Sequence, residues 1–113
     1  MDDFGTKIDF GRIAWKRIRK GGMVGRAKVR LLNDGRTVRL LEISPEWNEE
    51  GWCKKEHTGY VLSGELRLDF RSKNRKALLI KHGQSFYVPL GAAHKASSKS
   101  TTTVYIVDWA SGS

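Results

Sequence analysis

Gly83-Gln84-Ser85-Phe86-Tyr87-Val88-Pro89-Leu90-Gly91-Ala92-Ala93-His94 is the stretch on which the reading of the fold turns. Gly83 suits the turn that starts a strand, and Ser85 to Val88 reads as that strand. Pro89 cannot donate to a ladder, and Pro89-Leu90-Gly91 turns the chain away. His94 follows at a set distance and is expected to point inward. An ordinary β-turn with an incidental histidine is the plainer alternative, but four residue types at fixed spacings in a strand-turn-strand context speak against it.

The rest of the chain has the same texture. Val24 to Leu32, the tight turn Asn33-Asp34-Gly35, and Thr37 to Ile43 read as a hairpin closed off by Ser44-Pro45. Trp52 to Leu62 is expected as a strand, followed by a Ser63-Gly64 turn and a strand over Glu65 to Phe70. Arg71 to Arg75 reads as a loop, Ala77 to Ile80 as a strand, and Thr103 to Trp109 as the closing strand. Residues 9 to 19 have room for one or two helical turns, with Gly11 and the Gly21-Gly22 pair against anything longer. Many short strands at this spacing indicate an all-β protein, and the hairpin order favours an antiparallel jelly-roll barrel.

A chain of 113 residues, 39% hydrophobic with four Trp, four Phe and three Tyr, can build one core and one domain. Its single cysteine, Cys53, excludes an internal disulfide and fits a reducing compartment. The start Met-Asp-Asp-Phe-Gly is unlike a signal peptide, and no apolar run approaches the ~20 residues that span a bilayer. A cytoplasmic location without membrane attachment is expected. Lys and Arg number 21 against 12 Asp and Glu, a formal charge of +9. Such an excess fits a polyanionic partner, whether nucleic acid, phosphorylated metabolite or anionic lipid. Yet Arg26, Lys28 and Arg30 alternate with Ala27, Val29 and Leu31, the pattern of a half-buried strand with a basic face in water. Arg36 and Arg39, flanking Val38, are read the same way. The solvated-face reading is preferred and nucleic acid is not the expected partner.

The run from Gly83 to His94 matches the second motif of the cupins, G-x5-P-x-G-x2-H, at every fixed position. The first cupin motif, G-x5-H-x-H-x3-4-E-x6-G, is matched only at its end, where Tyr60-Val61-Leu62-Ser63-Gly64-Glu65-Leu66 is similar to the family's strand-and-glycine close. Counting back from Gly64, His57 stands at the family's Glu, Cys53 at its second His and Gly51 at its first. Trp52-Cys53 with His57 and Gly59-Tyr60-Val61-Leu62 also resembles a group of small bacterial cupins with a Trp-Cys signature. The resemblance covers about residues 35 to 109 and implies a jelly-roll barrel there. Residues 1 to 34 would supply an N-terminal segment and first strands of the same domain, and 110 to 113 a tail. It also implies a homodimer, for which an open strand edge gives a physical motive.

The altered motif still offers metal chemistry. Cys53 and His57 lie four apart, so on an extended strand they share a face. With His94 they present one thiolate and two imidazoles, suited to zinc, iron or copper, and leave a fourth position open. Glu50 is a further candidate in place of the missing first His. The alternatives are concrete: a buried Cys is most often a small hydrophobe, and two His can pair without metal. A Cys-His nucleophilic pair, Cys53 with His57 or His94, ranks below metal because the sequence shows no third group to orient it. Trp52, Tyr60 and Tyr105 are expected to contact a substrate. The leading expectation is a small cupin binding a small metabolite at a mononuclear metal site, with isomerase, lyase or dioxygenase chemistry within reach. A metal-free binding or regulatory module and a basic nucleic-acid-binding barrel are the competing readings.

Overall fold

Nine strands and a single 3-10 turn account for the regular structure in the computed structural model, which describes residues 5–109. In chain order the strands are β1 (Lys16–Lys20), β2 (Met23–Leu31), β3 (Arg36–Ile43), β4 (His57–Ser63), β5 (Glu65–Phe70), β6 (Leu78–Lys81), β7 (Ser85–Val88), β8 (His94–Ser97) and β9 (Thr102–Trp109). A six-stranded sheet runs β1-β2-β3-β9-β4-β7, and a three-stranded sheet runs β6-β5-β8. Every pairing is antiparallel. The jelly-roll architecture read from the sequence is the one observed.

Alternation decides what faces the core. On β9, Thr102, Val104, Ile106 and Asp108 are buried while the residues between them are not. Cross-strand partners share a face, so Thr37, Arg39, Leu41 and Ile43 of β3, paired with Asp108, Ile106, Val104 and Thr102, point the same way. Val61, Val88, Phe86, Leu66, Leu68 and Ile80 complete the interior with them. Gly59 is required there: a Cβ on it would sit 2.4 Å from Phe86 Cζ and 3.0 Å from the Tyr105 carbonyl oxygen.

The N-terminal reading needs correcting. Residues 10–12 do form one 3-10 turn, capped by Asp9, but Lys16–Lys20 is a strand. Gly21 and Gly22, with φ of 56° and 81°, make the two-residue turn that joins it to β2. The pair that argued against helix is a hairpin signal. The expected strand over Trp52 to Leu62 is also shorter. Only His57 onward joins the six-stranded sheet, while Cys53 forms an isolated bridge with His94. The expected tail, residues 110 to 113, lies outside the described residues.

Candidate metal centre

Three short-range devices bring Cys53, His57 and His94 together. The turn after Pro89 is fixed by Gly91, at φ 88°, whose N–H donates to the Lys54 carbonyl at 2.9 Å. That contact holds the segment after Cys53 against the segment before His94. Cys53 and His94 then exchange backbone hydrogen bonds of 2.8 and 2.9 Å. His57 opens β4, where Thr58 pairs with Val107, so it stands beside Asp108 on the inner face.

The resulting cluster is tight. One ligand atom from each of Cys53, His57 and His94 lies within 4.8 Å of the others. Cys53 Sγ is 3.4 Å from His57 Nε2, and the two imidazoles meet edge to face with centroids 5.0 Å apart. Carboxylate and carbonyl oxygens only accept, so the ring protons can be placed. His57 Nδ1 donates to Asp108 Oδ2 at 3.0 Å, and His94 Nδ1 donates to the Ala92 carbonyl at 2.8 Å. Nε2 is therefore the nitrogen that each imidazole has left for the cluster. Behind His57 the chain of contacts continues. Asp108 Oδ2 also accepts from Arg39 Nη2 at 2.6 Å, and Oδ1 accepts from Thr37 Oγ1 at 2.6 Å.

These contacts set the protonation states. Hydrogen bonds from His57 and then His94 bring the Cys53 thiol down to about 6, overcoming burial. Burial alone would lower His57, but the bonds to Asp108 and Cys53 outweigh it and raise it to about 9. Burial likewise opposes ionisation of Asp108, yet His57, Thr37 and Arg39 hold it down to about 2. His94 is raised, because its bonds to Cys53 and to the Ala92 carbonyl exceed the cost of burial. Near neutrality the metal-free centre is a thiolate–imidazolium pair backed by a carboxylate.

The donor types suit a metal ion. In a tetrahedral site a thiolate sulfur and an imidazole nitrogen stand about 3.6 Å apart, given metal–ligand bonds of about 2.3 and 2.05 Å. The observed 3.4 Å is close to that edge. Imidazoles whose second nitrogen donates to a carboxylate or carbonyl are the usual form of a metal-binding histidine.

Other expectations turn out differently. Tyr60 and Tyr105 pair with each other across β4 and β9 on the outer face, since their neighbours Gly59, Val61, Val104 and Ile106 take the inner one. Trp52 is 37% exposed with the Lys95 ammonium 4.8 Å from its ring. None of the three faces the cluster. Exposed Glu50 lies against the Gly21 turn, and the cluster does not include it. The third group that the Cys-His pair lacked in the sequence exists: it is Asp108. Arg39 was read as solvated and instead points inward. Both carry the same overlooked signal, a charged residue in the apolar phase of a strand, after Val104 and Ile106 in one case and before Leu41 and Ile43 in the other. On the outer face Arg26 and Lys28 stack on Trp15 at 4.2 and 4.9 Å, so the N-terminal segment covers part of the basic strand.

No protein-family model and no curated protein sequence matches the chain. Solved structures do. The polyketide cyclase RemF from Streptomyces resistomycificus superposes with a TM-score of 0.75 at 18% identity, covering 96% of this chain and 82% of its own. A cupin-2 domain containing protein from Shewanella frigidimarina gives 0.58 at 18%, over 73% and 79%. Fe(II)-HppE, solved with the alternative substrate (S)-1-HPP, gives 0.72 at 12%, over 96% of this chain and 62% of its own.

Proposed function

From a chain whose fold is that of the cupins, we propose a metal-dependent protein that binds a small molecule inside the barrel, with Cys53, His57 and His94 holding a divalent ion. The observation that carries this reading is the convergence of Cys53 with two imidazoles whose Nδ1 protons are already committed, to Asp108 and to the Ala92 carbonyl. One thiolate and two imidazoles suit zinc, iron or copper. When bound, such an ion supplies Lewis-acid polarisation or an activated water at its open position. The chain's own residues then act around it. Asp108 fixes the tautomer and orientation of His57, the Ala92 carbonyl does so for His94, and Phe70, 6.5 Å from the His94 ring, walls the site on one side. Isomerase, lyase and dioxygenase chemistry all remain open to this arrangement.

One observation favours a second reading. Cys53, His57 and Asp108 line up as thiolate, imidazolium and orienting carboxylate. In that reading the thiolate attacks an electrophilic carbon and His57 gives its proton to the departing group. A single experiment separates the two. Protein purified without added metal is analysed for metal content, then alkylated with iodoacetamide at neutral pH before and after chelation. The metal reading expects close to one ion per chain, loss of that ion in Cys53→Ser and His94→Ala, and a Cys53 that reacts only after chelation. A metal-free protein with a reactive Cys53, unprotected by added zinc, rejects it in favour of the nucleophile. Unchanged metal content in both variants rejects the ligand assignment.

A metal-free binding or regulatory module is the outcome if neither metal nor thiol reactivity is found. Oligonucleotide binding has less support, since Arg26, Arg36 and Arg67 are engaged by Glu42, Asp34 and Asp69. A homodimer accompanies the proposal, because β1 ends the six-stranded sheet with one edge unpaired among the described residues. A free thiol at the centre of the site favours a reducing, cytoplasmic setting. No helix among the described residues is long and apolar enough to cross a membrane.

A further inference from the structure

Arg39 holds an unanswered donor. Its Nη2 donates to Asp108 Oδ2, but its Nε is enclosed and has no acceptor among the described residues. Asp108 does not serve it: Oδ1 takes the Thr37 hydroxyl, and Oδ2 takes both His57 Nδ1 and Arg39 Nη2. A buried N–H without an acceptor costs about 1–3 kcal/mol, and folded proteins nearly always supply a partner. An acceptor oxygen is therefore missing beside Asp108.

Access and charge say what kind of molecule brings that oxygen. The Arg39 side chain as a whole is 26% exposed, so the guanidinium is reached from outside although Nε is not. Val29, its partner across β2 on the same face, is 45% exposed, and Leu31 two residues on is 62% exposed. At this end the inner face of the sheet is open and lined with apolar side chains. The charge of a divalent ion would be offset by the Cys53 thiolate and the Asp108 carboxylate, which leaves the positive charge of Arg39 over. One carboxylate balances it, and a guanidinium presents parallel N–H groups that match a carboxylate.

We propose that Arg39 anchors the carboxylate of a small organic acid whose other end reaches the Cys53–His57–His94 centre. His57 Nδ1 and Arg39 Nη2 share one oxygen of Asp108, at 3.0 and 2.6 Å, so anchor and centre are neighbours. The second half rests on the metal reading; the first does not.

The test follows the side-chain Nε–H resonance of Arg39 by NMR while glycolate is added to the metal-free and to the zinc-loaded protein. The Arg39 signal is expected to move saturably in both forms, and to stay in place with the neutral methyl ester. Arg39→Gln is expected to weaken glycolate binding about tenfold or more, the loss of charged hydrogen bonds, while Arg36→Gln leaves it unchanged. An Arg39 signal that glycolate never moves overturns the anchor, as does Arg39→Gln binding like the wild type. If Arg39→Gln does not fold, the wild-type resonance alone decides. Inorganic phosphate moving the signal at lower concentration than glycolate overturns the choice of a carboxylate. A saturable shift in the metal-free protein, with no zinc bound to the cluster, upholds the anchor and removes only the metal reading.

Discussion

Replacing Asp108 by Asn deletes a charge and almost nothing else. An Asn whose Oδ1 takes the place of Oδ2 still accepts from His57 and Arg39. Its NH2 then faces the Thr37 hydroxyl, which turns to accept. The cost should therefore be that of the charge. In the fold Asp108 ionises near 2 against an ordinary 3.8. At about 1.4 kcal/mol per unit this is about 2 kcal/mol of stability. Because the folded value is depressed, that contribution is complete above about pH 4 and is lost as pH falls through 2. Roughly half of it should survive at pH 3. The raised value of His57 describes the same interaction from its other end and is not added. Urea unfolding of the metal-free protein with excess chelator, at pH 7 and pH 3, checks this. The wild type should exceed Asp108→Asn by about 2 kcal/mol at pH 7, with the gap roughly halved at pH 3. Equal stabilities at pH 7, or a gap indifferent to pH, would refute the placement of Asp108 between His57 and Arg39.

Two further outcomes are expected. Gly59→Ala drives a methyl group into the Phe86 ring and toward the Tyr105 carbonyl, so thermal or urea unfolding should show a loss of about 1–3 kcal/mol; an unchanged midpoint contradicts the packing described. Light scattering on the purified protein should give twice the chain mass of 12.8 kDa, and a monomer across a range of concentrations removes the dimer.

The barrel was legible because its turns are written in residues with little freedom. Gly35, Gly64, Gly83 and Gly91 all have positive φ, and each stood in a turn expected from the sequence. His94 was placed by the same logic. What stayed hidden depended on register. Whether Arg39 or Val38 faces inward is set by pairing with β9, a partner that lies far along the chain. Asp108 was hidden for the same reason: a carboxylate near a chain end looks like a solvated residue until its strand is flanked on both sides. Tyr60 and Tyr105 lie on the outer face, a placement that aromatic character did not reveal. Cys53 and His57 were expected to share the face of one strand, but the chain between them leaves the ladder, and the two meet by a turn.

The Cys53–His94 bridge has a mechanical consequence. It fastens Cys53 to β8 and thus to the three-stranded sheet, whereas His57, four residues later, belongs to the six-stranded one. The chain crosses from one leaf of the sandwich to the other within the proposed ligand set. An ion held there would act as a clasp between the leaves, resisting their separation as a cross-link does. At a thousandfold excess over its dissociation constant it would add about 4 kcal/mol. A single thiol and two rings would then do in this small barrel what disulfides do in others, with a fastening that a chelator can undo.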